Sequence, residues 1–140
     1  MIVLDTNVLC ELMRPEPDAH VVDWLDRQDT FSVTISSITV AEILYGIERL
    51  PNDRRKRDFA AMAAAMFEED FAGRILSFDS GAALHYAEQV AASECAGRQV
   101  HMADAQIAAI CIQHGAVLAT RNLKDFETLA VETINPWEMG

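Results

Sequence analysis

Basic residues are scarce in this chain: eleven Lys and Arg stand against twenty-two Asp and Glu, leaving a formal net charge of −11. That excludes a protein held on nucleic acid by a broad basic surface. A nucleic-acid enzyme remains open, because bound cations invert the local field of an acidic site. Cysteine is equally sparse. Cys10, Cys95 and Cys111 are three in number, far apart and without a CxxC spacing, which excludes a disulfide framework or a zinc ribbon. They read as reduced core or near-core thiols of a cytoplasmic protein. No segment approaches the ~18 consecutive apolar residues of a membrane-spanning helix. The opening MIVLDTN has no basic leader and meets an acid at its fifth residue, unlike a signal peptide. Repeats, linkers and low-complexity tracts are also missing.

What remains is an ordinary globular composition. With 140 residues, 51% of them hydrophobic, the chain is long enough for one compact domain spanning 1–140. At ~100–150 residues per domain it is too short for two. Short apolar, β-branched runs predict strands at 2–4, 31–35, 75–78 and 116–120, with a fifth at 131–135. Helical spacing fills the gaps. One helix follows Asp5 and is stopped by Pro15 and Pro17, and another covers 18–28. A third begins at Ser36 or Ser37 and runs to about Leu50, and a fourth covers 53–72. A fifth is capped by Ser80 and closed by Gly97, and a sixth runs from 102 to 114 and is closed by Gly115. Strands alternating with helices, without hairpin signals, predict a three-layer α/β/α domain around a central parallel sheet of four to five strands. The one basic run, DRRKRD at 53–58, is flanked by acids and reads as a solvated helix face.

In such a fold ligands bind beyond the carboxyl ends of the strands. Asp5 lies there, directly after the first strand, and Asn122 and Asp125 follow the fourth. Asp104 falls in the first turn of the helix leading into the fourth strand, and Glu42 early in the helix after the second. Singly, each has a plain structural reading: Asp5 as a helix cap, Asp104 as a partner of the helix dipole, Asp125 as a loop acid. Glu42, between Ile38 and Tyr45, and Asp104, with Ala108 and Cys111 on its side, look half-buried. Carboxylates brought together repel one another, and a hard divalent cation removes that difficulty. All-oxygen ligands suit Mg²⁺ or Mn²⁺, which can lower the pKa of a bound water and neutralise charge on a phosphodiester.

Four segments in order, MIVLDTNVLCELMRP, VAEILYG, HMADAQIAAIC and LATRNLKDF, resemble the PIN-domain ribonucleases. The similarity is in particular to the VapC-type toxins of VapBC pairs, in the branch that includes the FitB-like proteins. It covers essentially the whole chain. The resemblance implies a Mg²⁺- or Mn²⁺-dependent endoribonuclease that hydrolyses RNA through a metal-activated water, leaving a 5′-phosphate and a 3′-hydroxyl. It implies Asp5, Asp104 and Glu42 as metal ligands, in a catalytic set completed by Asn122 or Asp125. Many relatives carry an acid where this chain has Asn122, whose amide adds no charge, and Asp125 stands three residues on. Thr6 would orient Asp5 or a water, Thr120 and Arg121 would help hold substrate, and no histidine is required. His101, three residues before Asp104, reads mainly as a surface residue. The resemblance also implies a small antitoxin with a basic or cleft-blocking segment, contact with DNA only through that partner, and a homodimer formed by helices between 18 and 70. A receiver-like signalling domain and a non-catalytic interaction module of the same fold are the competing readings.

Overall fold

A computed structural model describes residues 1–139. Its five strands are β1 (Ile2–Leu4), β2 (Val33–Ser36), β3 (Ile75–Leu76), β4 (Val117–Ala119) and β5 (Thr133–Ile134). The helices are α1 (Thr6–Leu12), α2 (Ala19–Asp26), α3 (Ser37–Glu48), α4 (Arg54–Ala65), α5 (Ser80–Cys95) and α6 (Met102–His114). All pairings are parallel, and the strand order is β3-β2-β1-β4-β5. The chain thus starts at the centre, winds outward through β2 and β3, and returns to place β4 on the other side of β1. A receiver domain would instead order its strands 2-1-3-4-5.

Successive side chains of a strand point to opposite faces, and this alternation splits the core. Leu4, Val33, Ile35 and Ala119 pack with Val8, Leu9, Val21, Trp24, Ile43 and Ile47 from α1, α2 and α3. Val3 and Leu118 face the other way, against Ile107, Ala108 and Cys111 of α6 and against Phe126 and Leu129. Burial on both sheet faces is why these strands read as unbroken apolar runs. Of the buried polar residues Thr34 and Ser36 in β2, Thr34 gives its hydroxyl proton to the Ile2 carbonyl at 2.8 Å.

Element ends differ locally from expectation. Phe31 and Ser32 form a 3₁₀ turn capped by Asp29, so β2 begins at Val33. β3 stops at Leu76, and the Phe78 amide turns to the Ser37 hydroxyl instead of a strand partner. Asp79, not Ser80, caps α5, accepting from the Ala82 amide at 3.0 Å. The helix expected over 53–72 ends as a single π turn over Met66–Asp70. Cys10 is exposed rather than in the core; Cys95 is exposed and Cys111 buried. In the basic run, Arg54 pairs with Asp58 at 3.9 Å and Lys56 donates to the Glu48 carbonyl at 3.1 Å. No helix among the described residues is long and apolar enough to cross a membrane.

Candidate active site

The strand order reverses between β1 and β4, and in open parallel sheets ligands bind in the crevice beyond the carboxyl ends of the strands at such a point. Asp5 leaves β1 there and is only 5% exposed. Its amide remains on the sheet, donating to Ala119 at 2.8 Å, while one carboxylate oxygen caps α1 through the Thr6 amide at 2.8 Å. The other oxygen accepts from the Thr120 hydroxyl at 2.7 Å and from the Asn7 amide at 3.2 Å. Capping does not compete with a role at the site: it fixes one oxygen so that the carboxylate cannot turn away.

Thr120 is wholly buried at the end of β4. Its single hydroxyl proton goes to Asp5, and its lone pairs accept from the Asn7 side chain at 3.2 Å and the Asn122 amide at 3.1 Å. Asn7 closes the ring by accepting from the Arg121 amide at 3.2 Å. Asn7 thus ties the two strand ends together, and its role was not read from the sequence. Its signal was the third letter of DTN, an amide two residues from a buried carboxylate, but the partner lies 113 positions away.

Glu42 is exposed, as is Tyr45 at 64%, so the half-buried setting expected for it is corrected. The α3 helix turns that face outward, with Ile43 and Ile47 carrying the packing instead. Glu42 is nevertheless directed. It accepts from the Thr6 hydroxyl at 2.7 Å, which lies 3.0 Å from the Thr39 hydroxyl, and Ser36 donates to Thr39 at 3.4 Å. One proton per hydroxyl gives a single polarity from Ser36 through Thr39 and Thr6 to Glu42. Thr6 therefore orients Glu42 with its hydroxyl and Asp5 with its amide.

Asp104 sits half-buried in the first turn of α6. Burial, followed by the charges of Asp5 and Asp125, raises its pKa to about 6; His101 pulls the other way, and Glu42 adds a still smaller push upward. Asp5 is also raised, chiefly by burial, with Glu42 adding to it and the hydrogen bonds from Thr120 and Thr6 opposing. Residues 5, 42, 104 and 125 therefore share one electrostatic neighbourhood. Asn122 lies beside it, exposed, with its amide on Thr120 and its carbonyl accepting from Asp125. Asp125 is exposed within the 3₁₀ turn Leu123–Phe126. The same negative field, added to burial, pushes the Cys111 thiol up to about 12 and raises Cys10, which keeps both protonated and unsuited to metal ligation. Asp79, the acid a receiver would use, is engaged instead as a helix cap and by Gln113 at 2.9 Å.

Among the described residues no three His, Cys, Asp or Glu side chains are grouped so that they could hold a metal ion. The donor set still fits a hard cation. Asp5, raised chiefly by burial, and Asp104, raised by burial and by the charges of Asp5 and Asp125, both gain from a dication, and Mg²⁺ takes one or two carboxylates while keeping several waters.

The PIN domain family profile matches residues 2–132. The VapC ribonuclease Y4jK of Sinorhizobium fredii is 40% identical, over 99% of each chain. Toxin FitB of Neisseria gonorrhoeae is 39% identical, over 98% of this chain and 99% of its own. The solved structure of FitAB bound to an IR36 DNA fragment superposes with a TM-score of 0.92 at 38% identity, covering 100% of this chain and 98% of that one. With a matching profile over nearly its whole length and relatives at this identity, the chain belongs to the PIN-domain family, among the VapC- and FitB-type proteins.

Proposed function

We propose that this chain, as one domain over 1–140, is a Mg²⁺- or Mn²⁺-dependent endoribonuclease and the toxin of a type II toxin–antitoxin pair acting in the cytoplasm. The observation that carries the reading is Asp5, buried at the carboxyl end of β1 and fixed there by Thr120 and Asn7, and it is supported by Asp104, whose raised pKa registers the charges of Asp5, Asp125 and Glu42. The printed names of the relatives, a VapC ribonuclease and a toxin, support the activity class.

Asp5 and Asp104 would hold the cation, and Glu42, expected from the sequence as a third ligand, would act on its water instead, since no three such side chains are grouped to hold an ion among the described residues. When bound, it supplies a lowered water pKa and charge neutralisation at the scissile phosphate. The chain's own groups do the rest. Thr120 and Asn7 fix the orientation of the Asp5 carboxylate. Thr6 aims Glu42 at the crevice, where it orients the attacking water and takes its proton. Asp125 adds negative charge where Asn122 offers only an amide.

An acidic crevice on a chain of charge −11 suits a basic side chain from a small antitoxin, which would displace the cation or block the cleft. The same charge would leave any DNA contact to that partner; the FitAB complex similar to this chain was solved bound to a DNA fragment. A homodimer through helices between 18 and 70 belongs to the same reading. The test is cleavage of single-stranded and structured RNA with Mg²⁺ or Mn²⁺ by the parent, Asp5→Asn and Asp104→Asn. Both variants should lose cleavage while keeping the fold. Parent-like cleavage by both refutes the mechanism, and metal-independent silence of the parent with retained partner binding favours a non-catalytic module.

A further inference from the structure

Beside Asp104 the crevice has a cationic side. A cavity of about 120 Å³ is bordered by Arg98, His101 and Lys124 together with Asp104 and Asp125. On a chain with only eleven Lys and Arg, two of them and a histidine border one small cavity and balance the two carboxylates there. Lys124 forms no ion pair among the described residues, and Arg98 is held at the edge by Glu127 at 2.8 Å. The cavity takes several waters, which is room for a phosphate group. Across the loop that carries Arg98 and His101 lies a larger cavity of about 610 Å³, with Tyr86 and Met102 in its walls. That volume lies in the range of a small-molecule pocket.

From this juxtaposition we infer that the Arg98–His101–Lys124 cavity binds an RNA phosphate next to the scissile one, with its nucleoside passing over the loop toward Tyr86. The inference rests on the nuclease reading and assigns it a substrate subsite. Phosphate contacts position a strand without reading its bases, so these residues set register at the carboxylates. Lys124 supplies free charge. Arg98 presents a planar fork and exchanges Glu127 for phosphate. His101 contributes a ring N–H donor.

The test compares the parent with Lys124→Gln, Lys124→Arg and His101→Gln in Mn²⁺-dependent cleavage of a short single-stranded RNA. Lys124→Gln should raise KM about fivefold or more with kcat little changed, and its log–log salt slope should become shallower by about 0.7, the share of one single-strand phosphate contact. His101→Gln should raise KM by less, and Lys124→Arg should restore parent behaviour. Unchanged KM and salt slope in Lys124→Gln overturn the subsite and leave the nuclease reading standing. A parent that cleaves nothing removes the nuclease reading instead. The subsite is then decided by NMR titration of the same RNA into the parent. Shifts at the His101 and Lys124 resonances support it, and silence there overturns it.

Discussion

Replacing Asp104 by Asn should stabilise the metal-free protein while destroying its response to metal. Asp104 ionises at about 6 in the folded chain against an ordinary 3.8, because burial and the charges of Asp5, Asp125 and Glu42 oppose it. Between pH ~4 and ~6 the folded form therefore keeps a proton that the unfolded form has released. Stability in chelator must fall as pH rises through that window, and by pH 7 the loss is complete. A shift of about two units corresponds to roughly 3 kcal/mol at full weight. Half-exposure screens it to about 1 kcal/mol. In a domain of this size that is about 3–5 °C in Tm. The Asn variant carries no such penalty and should melt higher in chelator at pH 7, with a flatter profile between pH 4 and 6. With Mg²⁺ at tenfold over its Kd the parent gains about 1.4 kcal/mol, enough to reverse the order. The assay is thermal melting across pH, with and without Mg²⁺. A parent that melts above the variant in chelator at pH 7, or a variant with the parent's metal-induced shift, refutes the reasoning.

Thr120→Val removes the 2.7 Å donor to Asp5 and the acceptor of two further hydrogen bonds; it should cost about 1–3 kcal/mol in urea unfolding, and an unchanged midpoint would show the ring to be incidental. Thr6→Val frees Glu42 and leaves the buried Thr39 hydroxyl without its acceptor; kcat should drop about tenfold with RNA KM retained, and an unaltered kcat would remove Glu42 from the chemistry. Gly115 closes α6 with φ of 62°, so Gly115→Ala should lose about 1–2 kcal/mol while cleavage continues at the parent rate below the melting temperature.

The layers of this fold were legible in the sequence because doubly buried parallel strands write themselves as apolar runs: IVL, VTI and VLA are strands in the structure. Asp104 was legible for a related reason, an acid in a helical turn whose neighbours Ala108 and Cys111 are buried. Other features lay beyond local pattern. Strand order depends on which of several similar runs packs beside β1, and nothing near Val117 marks it as that neighbour. Asn7 acts through a residue 113 positions later. Glu42 looked half-buried because Tyr45 was counted as core, yet α3 turns that ring to solvent. Asp79 rather than Ser80 is the cap because α5 begins one residue earlier than expected, with Ser80 already in its first turn.

The central claim is that Asp5 and Asp104, distant in sequence, hold one dication between them. Manganese soaked into crystals of the chain, located by its anomalous scattering, addresses this directly. The account predicts one strong peak in the β1/β4 crevice, bonded to a carboxylate oxygen of Asp5 or Asp104 and absent from the Asp5→Asn, Asp104→Asn double variant. An empty crevice at manganese concentrations that saturate cleavage, or an undiminished peak in the double variant, would contradict it.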